Sequence, residues 1–355
     1  MDFFQPVVEE AKWNKNFSSV LAPFMKAERN LFNQWADGFV NRDGKLLEEF
    51  QITFNSTFWE IYLFACFKEY EFEVDWSHQS PDFFLTANGV DVVVEATTAN
   101  SAKGKPSEWD RTFSPDDLKV LRRFKELNTQ AIIRLSNAIL NKAKKYRDTY
   151  KILSHVKNKP FVLAVAPFEQ PHFNFQYDRP IRALLYDHYV DEDAFLVNPD
   201  AYPEGPPVIN LGFVEKDNGA EIPLGFFNDH QLSEVSAVIF SCAATWGKLS
   251  AISSNSATTT QVHSTWATAP HGSSEIRRCS PSKHEEGIVD GLQVYHNPYA
   301  ERPLPPEIFR APRVVQHYFD AQSKEWIYEG RTDALLFRQV WKNASNSIAL
   351  RDHYL

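Results

Sequence analysis

The segment PDFFLTANGVDVVVEAT, residues 81–97, carries the clearest structural signal in this 355-residue chain. Asn88 and Gly89 both tolerate the positive φ that a two-residue type I′ turn requires, and apolar runs flank them on both sides. The segment therefore predicts a β-hairpin. Counting outward from the turn pairs Asp82 with Glu95 across the two strands.

This facing pair of acids points to a bound cation. Directly opposed carboxylates have Cβ atoms only about 5 Å apart, and they repel each other unless a proton or a cation lies between them. Carboxylate oxygens are suitable ligands for Mg²⁺ or Mn²⁺, so Asp82 and Glu95 form a candidate metal site. Acids at strand ends are also common as simply solvated groups, and the sequence leaves that alternative open.

The segments around the hairpin predict the fold class. Residues 1–54 carry apolar residues at helical spacing and are expected to form a helical docking segment. Residues 55–166 alternate between helix and strand signals, in the order helix, three strands, two helices and a buried strand. The helices are expected over 56–70 (capped by Asn55 or Ser56), 114–126 and 129–153, and the strands over 72–76, 82–87, 91–97 and 161–166. This order predicts an α/β (α+β) fold with a mixed central sheet flanked by helices.

The C-terminal part of the chain, residues 167–355, gives weaker signals and is expected to be a β-containing extension that continues the sheet. Strands are predicted over 235–241 and 292–299, and edge strands with a short helix over 313–341. Residues 250–286 are rich in Ser, Thr, Gly and Pro and contain few large aliphatic residues, which predicts a long mobile loop.

Charge is distributed unevenly along the chain. The formal net charge is −9, yet residues 119–159 contain twelve basic residues and two acidic ones. A basic stripe beside an acidic site suits a phosphodiester substrate, and Arg134, Lys144 and Lys145 are the candidate nucleic-acid contacts. Charge runs on helices also occur as ordinary solvated faces, so this feature has a second interpretation.

Other classes of protein find little support in the sequence. No apolar run approaches the roughly 18 to 20 residues that cross a bilayer, and the first ten residues lack the basic region of a signal peptide. The three cysteines lie far apart, which indicates neither a disulfide framework nor a zinc knuckle. A cytoplasmic protein without a membrane partner is the expectation.

Pro81-Asp82, followed after a gap of twelve residues by Glu95-Ala96-Thr97, resembles the PD-(D/E)XK nuclease signature. The resemblance covers residues 55–166 and implies a restriction-endonuclease-like core. It further implies hydrolysis of phosphodiester bonds with Mg²⁺ (or Mn²⁺) held by Asp82 and Glu95, on DNA as the expected substrate. Glu60 matches the helix glutamate of many members. By analogy, the context would be bacterial restriction or phage defence.

Thr97 departs from the signature, because the family usually has a catalytic lysine at that position. Some relatives carry the lysine on the following helix. Here Lys142 shares an apolar stripe with Leu135 and Ile139, so it is expected to point toward the core and to act as the displaced lysine. A side chain that snorkels outward is the alternative, and Lys103 is a lesser candidate.

Two other functions stay open at this stage. The chain could be a catalytically inactive nucleic-acid-binding or structural protein that keeps the nuclease fold, or an unrelated α/β protein. The segment His296-Asn297-Pro298 resembles part of an uncharacterised bacterial family, although an Asn-Pro turn accounts for it equally simply. DNA or RNA preference, sequence specificity and a homodimeric state are not determined by these patterns.

Overall fold

The computed structural model describes residues 1–99, 123–168, 172–253, 259–269 and 272–342. Its helices are α1 (Lys15–Val20), α2 (Lys26–Trp35), α3 (Leu46–Ile52), α4 (Asn55–Glu69), α5 (Phe124–Lys145), α6 (Arg179–Tyr186), α7 (Glu192–Val197) and α8 (Trp246–Ile252). The strands are β1 (Glu73–Val74), β2 (Phe83–Ala87), β3 (Val90–Thr98), β4 (Phe161–Ala166), β5 (Tyr189–Val190), β6 (Val208–Ile209), β7 (Phe213–Glu215), β8 (Glu221–Pro223), β9 (Ala237–Phe240), β10 (Thr260–Ala267), β11 (Ser274–Cys279), β12 (Gln293–His296), β13 (Val315–Asp320), β14 (Glu325–Glu329) and β15 (Leu335–Lys342). None of these described helices is long and apolar enough to span a membrane.

The central element is an eight-stranded sheet with the strand order β1-β2-β3-β4-β9-β12-β13-β14. The sheet is mixed: β2 and β3 are antiparallel, β3, β4 and β9 are parallel, and β12 runs antiparallel to β9. Helices flank it, so the predicted α/β (α+β) class is confirmed. Four strands come from residues 55–166 and four from the C-terminal part, which therefore continues the sheet as expected.

The core forms around α4, which packs against β3 and also contacts α2 and α3. Eleven of the fifteen residues of α4 are buried. This burial explains why the apolar side chains of α4 are distributed all around the helix. Trp59 donates from Nε1 to the carbonyl of Ala164 on β4 at 3.0 Å, which satisfies its polar atom inside the core. The N-terminal helices cover the outer side of α4 with a cluster of aromatic rings that includes Phe32 and Phe50.

The helices depart from the sequence predictions in two places. The prediction that one helix ends at 126 and the next begins at 129 is wrong. Helix α5 runs continuously from Phe124 to Lys145, and no glycine or proline interrupts it there. The predicted side-chain cap of α4 is also wrong, since Phe54 occupies the cap position with φ +50° and makes no side-chain cap hydrogen bond. The predicted helix start at Ser114 lies outside the described residues.

Residues 250–286 contain two strands where a long loop was expected. Strands β10 and β11 pair antiparallel, and β15 completes a second, three-stranded sheet with the order β11-β10-β15. The alternation was hidden because several inward positions of β10 carry small polar residues, Thr260 and Ser264, rather than aliphatic ones. The short helix expected within 313–341 is likewise replaced by strands β13, β14 and β15.

Candidate metal and phosphodiester site

The β2–β3 hairpin has the register that its turn predicts. Asn88 and Gly89 have φ values of +51° and +79°, and the ladder runs from Ala87 facing Val90 to Phe83 facing Val94. Continuing the same register by one step brings Asp82, the residue before β2, opposite Glu95 on β3. The two acids therefore meet at the open end of the hairpin.

Asp82 is held against β3 by a backbone hydrogen bond. Its Oδ2 accepts from the N–H of Ala96 at 2.7 Å, while its Oδ1 has no hydrogen-bond partner among the residues that the structure describes. The pKa of Asp82 is raised to about 6, first by burial and then by the nearby charge of Glu95, against the opposing effect of Lys142. The electrostatics here thus favour either a proton or an additional cation.

Glu95 is the centre of the site. It is 1% exposed, and its Oε1 accepts from Lys142 Nζ at 2.6 Å and from Lys145 Nζ at 3.1 Å. Its Oε2 accepts from the Tyr150 hydroxyl at 3.1 Å. Lys142 is only partly exposed, at 24%, which agrees with its predicted inward direction. Two ammonium groups therefore converge on one buried carboxylate oxygen.

The end of α5 brings these donors together. Lys142 and Lys145 are three residues apart and so share one helix face. Residues Tyr146–Tyr150 then form a π-helical turn, in which the N–H of Lys151 bonds the carbonyl of Tyr146 at 3.0 Å. The wider turn adds one residue before Tyr150, and the Tyr150 hydroxyl reaches Glu95. Such turns are frequent at functional sites.

Glu60 completes a group of three acids. It lies on α4, is partly buried, and makes no hydrogen bond with any described residue. Its pKa is raised to about 8, first by burial and then by the charges of Asp82 and Glu49. The third acid predicted from the sequence therefore lies within electrostatic reach of Asp82.

Arg42 is a residue that sequence reasoning missed. It donates to the carbonyls of His78 at 2.7 Å, Pro81 at 3.3 Å and Asp82 at 3.0 Å, and so fixes the backbone that carries Asp82. No local pattern marks it, since it precedes Asp82 by forty residues. Tyr150 was missed because a regular helix was expected where the π turn lies.

The candidate nucleic-acid contacts have different environments. Lys144 is 69% exposed and pairs with Asp148. Lys145 reaches Glu95 and so belongs to the site itself. Arg134 is buried, with 8% of its surface exposed, and does not lie on the exposed basic face where we expected it. Lys103 lies outside the described residues.

The donor set suits a small divalent cation. Within the described parts of the chain no three His, Cys, Asp or Glu side chains are arranged as a metal cage. Mg²⁺, however, is commonly held by one or two carboxylates together with waters and substrate oxygens. Asp82 and Glu95 supply two such carboxylates, and the unpartnered Oδ1 of Asp82 leaves an oxygen for a cation.

Comparison of the chain with protein-family models, with curated proteins and with solved structures returned no match. What the chain does is therefore inferred from the chemistry of this site.

Proposed function

We propose that this chain is a Mg²⁺- or Mn²⁺-dependent nuclease that hydrolyses phosphodiester bonds, with DNA as the expected substrate. The proposal depends on one observation above all. Lys142 lies 47 residues from Glu95 in sequence, yet its ammonium contacts that carboxylate at 2.6 Å, beside the facing Asp82. In metal-assisted phosphodiester hydrolysis, carboxylates can hold the cation and a fixed ammonium can stabilise the charge that develops on the phosphate.

Each residue has a role in this proposal. Asp82 and Glu95 would hold the cation, which polarises a phosphate and lowers the pKa of water when bound. Lys142, with Lys145 beside it, would face negative charge that develops on the phosphate during attack, and a fixed ammonium stabilises such charge. Lys142 and Lys145 would thus supply the positive charge that is missing at Thr97. Arg42 and Tyr150 position the two carboxylates.

The surface next to the site supports a polyanionic substrate. Lys144 and Arg147 are exposed by 69% and 43%, although each also pairs with an acid. Lys151 and Lys157 follow on the same connection and are exposed. Exposed basic groups beside an acidic site give the sequence-independent attraction that phosphate backbones require.

The decisive experiment compares Asp82→Asn and Glu95→Gln with the unchanged protein on plasmid, single-stranded DNA and RNA, with Mg²⁺, Mn²⁺ or EDTA. We expect both variants to lose at least about 100-fold in cleavage rate while circular dichroism stays unchanged. Asp91→Asn is the matched control, because Asp91 is a half-exposed acid on the same hairpin that pairs with Lys159 away from the site. Cleavage that survives in both test variants would refute the proposal.

A catalytically inactive protein has a distinct signature. Thr97 at the usual lysine position favours that alternative if Lys142 does not compensate for it. Calorimetry would then show Mg²⁺ or Mn²⁺ binding that depends on Asp82 and Glu95, without cleavage of any of the three substrates.

A further inference from the structure

A second polar cluster surrounds Asp178, at the start of α6. Asp178 is fully buried, and its Oδ1 accepts from Arg179 at 2.9 Å. Its Oδ2 accepts from the Tyr328 hydroxyl at 2.8 Å, from Arg182 at 3.3 Å and from Arg331 at 3.4 Å. We call these five residues the Asp178 cluster. Three guanidinium groups thus share one carboxylate.

The charges of the Asp178 cluster do not cancel. Arg179 also pairs with Glu192 at 2.5 Å, so among the residues that the structure describes two acids face three guanidinium groups. His188 and His317 add no charge at neutral pH, since burial and the nearby Arg182 lower their pKa values to about 4 and about 3. A surplus positive charge remains in a largely buried region, where an uncompensated charge is unfavourable.

Several buried polar atoms next to this surplus charge have no hydrogen-bond partner within the part of the chain that the structure describes. They are Arg182 Nε, Arg331 Nε, the Tyr177 hydroxyl and His317 Nδ1. Tyr177 and His317 are each only 8% exposed. Folded proteins rarely leave such atoms unsatisfied, so these four atoms are available to bond a ligand.

These atoms belong to one neighbourhood. The Arg331 guanidinium lies 5.3 Å from the centre of the Tyr177 ring and 5.6 Å from that of the Tyr328 ring. Arg182 lies 4.9 Å from the Tyr328 ring centre, and the His317 ring is 5.5 Å from the same ring. The unpartnered donors therefore surround the side chain of Tyr328.

The Asp178 cluster lies near the surface. Arg179, Arg182 and Arg331 are partly exposed, by 30%, 12% and 13% of their side chains. Trp326 lies at the rim, is 45% exposed, and contacts the His317 ring at 4.8 Å. The cluster is therefore largely buried but borders solvent.

We propose that the Asp178 cluster, with Tyr177 and His317, binds a phosphate-bearing ligand. A phosphate offers three or four acceptor oxygens and more negative charge than a carboxylate, which suits a surplus charge and several donors that approach from different residues. The nuclease proposal is not needed for this inference, because β4, β9 and β12 lie between β3, which carries Glu95, and β13, which carries His317, and separate those two strands by about 19 Å.

Calorimetry of the full chain with inorganic phosphate, against chloride of equal ionic strength, tests this site. We expect saturable binding that weakens at least fivefold in Tyr177→Phe and at least tenfold in Arg331→Met. Tyr177→Phe is the more informative variant. The Tyr177 hydroxyl has no hydrogen-bond partner among the described residues, so its removal should leave the fold intact. Arg310→Met is the control, since Arg310 is a half-exposed arginine paired with Glu329.

Three results would overturn the assignment. The first is no saturable binding beyond the chloride baseline, and the second is acetate binding as tightly as phosphate. The third is binding that Tyr177→Phe and Arg331→Met leave unchanged but Lys142→Met abolishes, which would place the phosphate beside the ammonium groups of the nuclease site. Thermal unfolding without phosphate separates a loss of affinity from a loss of fold.

Discussion

Lys142 and Lys145 on α5 determine the electrostatic environment of Glu95 in the β2–β3 hairpin. Glu95 is buried, and an isolated carboxylate in that environment would be strongly unfavourable. Lys142 and Lys145 offset this by bringing two positive charges to its Oε1. In the proposed nuclease, the same arrangement would keep an ammonium beside the reacting phosphate, which is the role that Thr97 cannot fulfil.

At this residue scale we predict that Lys142→Met lowers the cleavage rate about 100-fold or more, because a positioned charge that stabilises the transition state is lost. Single-turnover nicking of plasmid DNA would measure the rate. Lys159→Met is the matched control, since Lys159 pairs with Asp91 away from the site, and we expect less than about a threefold change from it. Equal effects of the two substitutions would contradict a specific role for Lys142.

Among the elements, the hairpin and the end of α5 contribute in different ways. The hairpin is a local structure, since its register follows from the two turn residues and brings Asp82 opposite Glu95. The π turn of Tyr146–Tyr150 has no comparable signal in the sequence. It exists beside a packed strand, where the Tyr146 ring stacks on Phe161 at 4.4 Å and Tyr150 meets Glu95.

For the hairpin we predict that Gly89→Ala lowers the free energy of unfolding by about 1–2 kcal/mol, because an L-residue is strained at a φ of +79°. No atom lies within 4 Å of the added Cβ, so the effect should be conformational alone. Urea unfolding would measure it. Gly287→Ala is the control, since its φ is not in the left-handed region and its Cβ would make an ordinary contact at 3.9 Å.

The register should survive the Gly89→Ala substitution, because Phe83 and Leu85 remain buried on one face of the sheet. Cleavage per folded molecule should therefore stay within about twofold of the unchanged protein. A large loss of activity without a loss of stability would show that the turn does more than set the strand register.

In the whole molecule, a buried ion cluster ties the second sheet to the main core. Glu286 accepts from Lys248 of α8 at 2.6 Å and from Arg338 of β15 at 2.6 Å, and all three side chains are almost fully buried. Burial alone would raise the pKa of Glu286, but Arg338 and Lys248 outweigh it and lower the value to about 2. Removing the acid would leave two buried cations unpaired.

We predict that Glu286→Gln lowers the free energy of unfolding at neutral pH by about 3–5 kcal/mol. In the unchanged protein the contribution of Glu286 is fully present above its unfolded pKa of 4.5 and is lost as the pH falls from there toward 2. Urea unfolding at pH values of about 6 and about 3 should show a smaller pH dependence in the variant. An unchanged dependence would mean that Glu286 is not the titrating group.

Much of the fold could be predicted because its signals are local. The β2–β3 hairpin follows from its Asn88-Gly89 turn, and β4 follows from its continuous apolar run. These strands, and helix α4, were predicted close to their observed bounds. Strands β10 and β11 were missed because they are stabilised by pairing with each other and, for β10, with β15, rather than by their own composition. Their inward positions hold small polar residues that resemble a loop.

The sequence by itself determined the facing acids Asp82 and Glu95, since a two-residue turn sets the register of the strands beside it. It also determined the inward direction of Lys142, through the periodicity of one helix. Only the tertiary structure decided which groups surround those acids and which surround Asp178. Arg42, Lys145, Tyr150 and Arg331 reach their partners from distant parts of the chain, and such contacts follow from packing and burial rather than from neighbouring residues.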